Sequence, residues 1–354
     1  MRFAVAEDAA ALRDAAQPLL DARATPALIR SAWPAGPDPG PAQPALPAQV
    51  RAVWRGLADI GVTGALVAEA HGGLGLDENA LPPVLSRIGH SGLPVPAGET
   101  VAVTAPLLAA AGHPALPDVL SGAALVTAQL AAAAAAELPI PFGQTADYVL
   151  LRGDNGELRL YERGELETSP VPAVDGSRQL ARLRARPAGG VPVAGPADAA
   201  AAWERGVLAA AAVLVGLAER MLSMTVDYVA SRWQFGVPIG SFQAVKHRLA
   251  DSLVAVEFAR PAVLAAGWAQ ACAAADAAQQ TSVAKVLASD AATTVARAAI
   301  QCHGAIGYTT EYDLHLFAKR AWALAPSWGS ASWHRRRLAA GLGLTEAVPD
   351  EREG

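Results

Sequence analysis

The segment Arg232-Trp-Gln-Phe-Gly-Val-Pro-Ile-Gly-Ser-Phe-Gln-Ala-Val-Lys-His-Arg-Leu-Ala-Asp251 gathers the groups that hold a pyrophosphate and its attached sugar. Arg232 offers a planar, permanently charged fork for phosphate oxygens, and the N–H groups of a turn and a helix start add anion-directed donors. Gln234 and Gln243 can hydrogen-bond a sugar, and Phe235 can pack beside a ring. A second stretch, Gln301-Cys-His-Gly-Ala-Ile-Gly-Tyr308, supplies Gly304 and Gly307, which permit close approach of backbone to a ligand. The competing reading is that these residues cap helices and pack subunits without any cofactor.

His247 and His303 flank the two stretches and read as hydrogen-bonded structural histidines. His71 lies in a Gly-rich turn; His90, His113, His315 and His334 form no metal-ligand spacing, and no metal is expected. Cys272 and Cys302, the only cysteines, read as ordinary buried thiols.

These groups must be positioned mainly by helices. Apolar residues make up 52% of 354, much of that alanine, with 5% aromatics; alanine loses no side-chain entropy in a helix. A net charge of −5 leaves no electrostatic footprint for nucleic acid. The N-terminus lacks a basic-then-apolar leader, which makes a cytoplasmic location the expectation. Val119 to Ala136 is uncharged but too rich in small residues for a membrane span.

Residues 1 to about 32 read as one amphipathic helix, followed by a proline-rich loop from Trp33 to Ala48. Helices are expected over Val50–Ile60, Glu78–His90 and around Thr100–Ala111, making residues 1–121 a helical domain. Residues 122–195 change texture: Tyr148–Arg152, Leu158–Tyr161 and Leu180–Arg186 read as short strands of a small β domain. From 196 to 354 helices return. Leu214, Leu217, Met221, Met224 and Tyr228 form an apolar stripe expected to pack the core of a bundle, with further helices around 243–259, 281–301 and on to Leu342.

With its two motifs and this element order, the chain resembles the acyl-CoA dehydrogenase family of flavoproteins. The resemblance implies a mainly α fold: an N-terminal helical domain, a middle β-barrel-like domain and a C-terminal four-helix bundle. It also implies FAD as cofactor, with Arg232, Gln234, Phe235, Gly236, Gln243, Gln301, Gly304, Ala305 and Gly307 gripping its ADP half, mostly across a subunit interface. The substrate class implied is an acyl-CoA, with an electron-transferring flavoprotein as acceptor.

Two departures matter. α,β-Dehydrogenation needs a carboxylate to take the α-proton while the flavin takes the β-hydride. At the family's usual base position, counted from Gln301, stands Trp328, followed by Gly329 and Ser330; an indole only donates. At the alternative position, on the helix before Arg232, stands Gly206. Glu204 lies two residues earlier, a rotation of roughly 200°, and also reads as a first-turn carboxylate favoured by the helix dipole. It remains a weak candidate base. The flavin-cupping Gly-Ser loop of the family is absent too; Val126-Thr-Ala-Gln-Leu130, six alanines, Glu137 and Leu138–Gly143 replace it, with Thr127 as a remnant.

By the resemblance, the residues kept are those that serve a neighbour's FAD, and those lost serve the chain's own. This resembles the non-catalytic subunit of paired actinobacterial dehydrogenases, heterotetramers with fewer flavins than chains. The alternatives are a self-sufficient homo-oligomeric dehydrogenase using Glu204, a flavin-free scaffold of the same fold, and a different flavin reaction needing no base.

Overall fold

The structure, a computed structural model, describes residues 5–34, 45–131, 138–185 and 187–344. Most of the proline-rich loop, the alanine run with Glu137, and Arg186 fall outside the described residues.

Among the described residues six α-helices precede the first strand: α1 (Glu7–Arg23), α2 (Pro26–Ser31), α3 (Ala48–Asp59), α4 (Leu81–Ser91), α5 (Ala105–Ala110) and α6 (Leu116–Leu120). The single N-terminal helix expected over 1–32 is broken. Thr25 caps α2 by accepting the Leu28 N–H, and Pro26 takes the first helical position, where its missing N–H costs nothing. The helix expected from Glu78 opens with a tighter turn at Glu78–Ala80, and α5 is preceded by a π-wound segment, Glu99–Thr104.

The middle region holds β1 (Val126–Gln129), β2 (Tyr148–Arg152), β3 (Leu158–Glu162), β4 (Thr168–Pro170), β5 (Ala181–Leu183) and β6 (Val191–Ala194). One sheet has the order β1-β2-β3-β6, with β1 and β2 parallel and the other pairs antiparallel. β4 and β5 form a separate ribbon, tied back through the Ile140–Ala181 bridge. Thr127, expected in a loop, is fully buried in β1, its hydroxyl donating to Pro141 O.

The remainder is helical: α7 (Pro196–Ser231), α8 (Gln243–Ala271), α9 (Ala277–His303), α10 (Leu314–Leu324) and α11 (Ala331–Gly341). α8 runs through Pro261, beyond the expected end at 259, because Val263, Ala266 and Ala269 on its far half are buried and outweigh a proline kink of ~3 kcal/mol. α7 is long and apolar enough to cross a membrane, but most of its apolar window is buried by the surrounding helices. It is the core helix: Leu214, Leu217, Met221 and Met224 are all buried. α4 crosses α7 backbone to backbone. A Cβ on Gly216 would meet Ser86 O at 1.8 Å, and one on Gly89 would meet Val213 O at 2.3 Å.

Candidate functional site

Two separate places carry the chemistry, at different heights along α7. The first lies at its C-terminal end. Tyr228, in the last turn of α7, stacks on His303 at the end of α9 with ring centroids 4.3 Å apart, and Tyr312 closes on both rings. That aromatic clasp sets the two motifs side by side, because each begins where its helix stops. His303 is buried, its Nδ1–H donating to Ala299 O; Nε2 has no partner among the described residues, and burial lowers the ring's pKa.

After α7 the chain turns back on itself. Trp233–Gln234 pairs with Val237–Pro238, and the Ile239 N–H donates to Arg232 O at 2.8 Å. The turn residues Phe235 (φ 54°) and Gly236 (φ 79°) are both left-handed, the two-residue hairpin geometry that matches strand twist. Phenylalanine is an uncommon occupant of that conformation, and its ring is 90% exposed. Arg232, Gln234, Gln243, Gln301, Gly304 and Ala305 are exposed as well. Among the described residues Arg232 makes no ion pair, so its fork is free. A Cβ on Gly236 or Gly304 would meet nothing within 4 Å, which leaves bare backbone facing outward. Gly307 differs: it is buried, and a Cβ there would meet Ile300 O at 2.8 Å, so it serves its own helix end. His247, expected to be a bonded structural histidine, is exposed beside this ledge, and Cys272, expected buried, is exposed as well. The ledge can take an anion and a flat ring from outside the chain.

The second place lies beside Gly206, farther back on α7. The indole of Trp328 lies across Gly206 so closely that a Cβ there would meet Trp328 Cζ3 at 2.3 Å. The two positions at which the resemblance puts a base therefore face each other, and both are non-acidic. Trp328 is itself left-handed (φ 59°), and Trp203 packs on its ring at 5.3 Å. Its turn is held from behind. The ammonium of Lys285, fully buried, donates to Ala325 O at 2.7 Å and Gly329 O at 3.1 Å, and burial pulls its pKa down to about 7. His334 donates from Nε2 to Trp328 O at 2.9 Å, which leaves Nδ1 to accept from the Ser282 hydroxyl; burial drives its pKa down to about 3.

Glu204 does not join this place. It stands in the third turn of α7, not the first, so the helix-dipole account of it fails. One carboxylate oxygen is paired with Arg337 of α11 and the other is buried without a partner. Its carboxylate is tied to α11 and is not among the groups that line the space beside Trp328.

What remains open at Trp328 is a cavity of about 40 Å³ between α4 and α7, also walled by Leu93, Phe142 and Leu324. Three charged groups line it that the sequence did not single out: Glu99, Arg178 and Arg320. They come from segments far apart in the chain. The only local signal, the π-wound turn at Glu99, is a property of the backbone. Among the described residues no three His, Cys, Asp or Glu side chains cluster as metal ligands would.

Residues 196–343 match the C-terminal domain of acyl-CoA dehydrogenases. The acyl-CoA dehydrogenase IpdE2 of Mycolicibacterium smegmatis is 30% identical over 348 residues, covering 95% of this chain and 99% of the relative. The chain belongs to the acyl-CoA dehydrogenase family. IpdE2 of Mycobacterium tuberculosis is 41% identical over 180 residues, a match spanning 51% of this chain and 52% of that protein. Among solved structures, the ChsE4-ChsE5 complex from Mycobacterium tuberculosis superposes with a TM-score of 0.83 at 26% identity, covering 98% of this chain and 100% of that one. The butyryl-CoA dehydrogenase of Megasphaera elsdenii, 19% identical with a TM-score of 0.79, shares the fold. The family is one of FAD-dependent oxidoreductases, and its cofactor is FAD.

Proposed function

We propose that this chain is the non-catalytic partner in an acyl-CoA dehydrogenase assembly, lending the ADP-binding half of an FAD site to a second, base-carrying subunit. The observation that carries the reading is the contact between Trp328 and Gly206. Both base positions are filled by groups that cannot accept a proton, and they press together so that only about 40 Å³ stays open.

The ledge supports the other half of the reading. Arg232 would pair with the pyrophosphate, Gln234, Gln243 and Gln301 would bond the sugar, and Phe235 would cover the adenine or ribose. Gly236, Gly304 and Ala305 would give bare backbone for close approach, while Gly307 fixes the end of α9 beneath them. When bound, FAD supplies the hydride-accepting ring; this chain holds its distant end. Gly206 lies about 26 residues before Arg232, the cap of α7, roughly 39 Å along a regular helix. That is farther than one dinucleotide reaches, so the ledge serves a flavin whose ring lies in another chain.

The structural relatives support a paired assembly: ChsE4-ChsE5 is a complex, and Tcur3481-Tcur3483 is a steroid acyl-CoA dehydrogenase at 26% identity. An α2β2 arrangement in the cytoplasm, acting on an acyl-CoA and passing electrons to an electron-transferring flavoprotein, belongs to the same proposal. The test is the visible spectrum and light-scattering mass of the chain purified alone and with its partner. The chain alone should be colourless and the complex yellow, and Arg232→Ala should lower the complex's flavin occupancy roughly tenfold or more at limiting FAD. Stoichiometric flavin in a homo-oligomer, or full occupancy with Arg232→Ala, would overturn the reading.

A further inference from the structure

A second cavity, of about 260 Å³, opens between α1, α4, α7 and α8. It lies on a different face of α4 and α7 from Trp328. Ile88, Gly89 and Val213 wall the first cavity, whereas Arg87, His90 and Val215 wall this one. Its body is apolar, formed by Pro82, Pro83, Val215, Val263 and Leu264. Backbone contact holds the walls in place: a Cβ on Gly216 of α7 would meet Ser86 O at 1.8 Å and His90 N at 2.7 Å. A site formed in advance loses little freedom when a ligand enters.

The charges around it are matched. Arg13 is paired with Asp14, Arg87 with Asp21, and Arg260 with both Glu219 and Glu257. No guanidinium in the lining therefore calls for an anion, and the Glu219 carboxylate, itself in the wall, opposes one. A cation would face Arg13, Arg87 and Arg260 together. What the cavity lacks is an acceptor for one neutral donor. Arg87 donates from Nη1 to His90 Nδ1 at 2.9 Å. A guanidinium only donates, so Nδ1 is the bare nitrogen and the ring proton sits on Nε2. Nε2–H has no partner among the described residues, and unlike the stranded nitrogens of His315 it is not closed off by packing.

A volume of 260 Å³ holds on the order of nine waters at about 30 Å³ each, the bulk of a ligand of roughly ten non-hydrogen atoms. Apolar walls with a few placed polar groups are the usual make-up of a small-molecule site. We propose that this cavity binds a compact, uncharged, mainly apolar molecule with one acceptor oxygen, a cyclic ketone in its simplest form, which accepts from His90 Nε2–H. Neither the ledge nor the Trp328 turn enters this proposal, so it stands or falls apart from the reading above.

The full chain, alone or in its assembly, is titrated with camphor, a neutral cage with a single carbonyl. Camphor-10-sulfonate, the same cage with a charge added, forms the second arm. Binding is read by calorimetry, and the His90 ring is followed by NMR. Camphor is expected to bind in the millimolar range or tighter and to move the His90 ring signals. The sulfonate should bind at least about tenfold more weakly, because the matched charges leave it no counterion. His90→Phe keeps a ring and removes the donor, and should weaken camphor roughly three- to tenfold. Val263→Trp, which fills the cavity from α8, should abolish binding. Should either variant fail to fold, the His90 signals of the wild type decide the matter. No binding of camphor, unmoved His90 signals, a sulfonate bound as tightly, or an affinity unchanged in the variants would overturn the proposal.

Discussion

The contact between Trp328 and Gly206 can be tested by adding a single methyl group. Gly206→Ala puts a Cβ inside the indole's van der Waals surface, and overpacking of this kind costs about 1–3 kcal/mol. In a Trp328→Ala background the clash disappears, and alanine in a helix interior gains about 1 kcal/mol over glycine. The effect of Gly206→Ala should therefore change sign between the two backgrounds in urea denaturation. The same sign in both would mean the indole does not lie where described. At this scale the sequence was readable where chemistry is contiguous. Arg232, Gln234 and Phe235 announce themselves within four residues, and the exposed ledge they form needs only a hairpin to assemble. Glu99, Arg178 and Arg320 could not be found that way, because three distant segments must fold before one cavity shows their charges together.

The turn between α10 and α11 depends on Lys285, whose ammonium ties two of its carbonyls from inside α9. Lys285→Met keeps the volume but strands Ala325 O and Gly329 O, at about 1–3 kcal/mol. The penalty should depend on pH in a definite sense. The folded-state pKa, about 7, lies below the unfolded value of 10.5. Between those values the unfolded chain binds the extra proton, so the wild type gains stability as pH rises. Denaturation at pH 7 and pH 9 should show the Lys285→Met deficit growing by up to about 2–3 kcal/mol; a deficit independent of pH would mean the lysine stays charged when buried. Helices were legible here because alanine-rich periodicity states them directly. The errors sit where one residue overrides the pattern: Thr25-Pro26 starts a new helix, while Pro261 fails to stop one. β1 escaped notice because four residues of a buried parallel strand carry no alternation.

On the scale of the molecule, the exposed face of α8 is the feature without a use inside the chain. Leu253, Val254 and Phe258 stand clear of the core one turn apart, and nothing among the described residues covers them. A subunit docking there would make Phe258→Glu costly, by about 2–4 kcal/mol of association. Light scattering of the assembly should then give a smaller mass for the variant, and an unchanged mass would place the partner elsewhere. The mainly helical character was legible from composition and periodicity, but the relation between the ledge and the Trp328 turn was not, since it depends on the full length of α7 lying between them. The crossing of α4 and α7 has a consequence of its own. Gly89 and Gly216 put backbone against backbone with no side chain as cushion, so the joint is keyed like a bolt in a slot. Sliding either helix by one residue would drive a β-carbon into a carbonyl. The spacing of the two helices, which together form one wall of the cavity at Trp328, is therefore set by backbone contact. Widening the chamber in this chain is then a matter of trimming side chains, because the frame at this crossing leaves no slack.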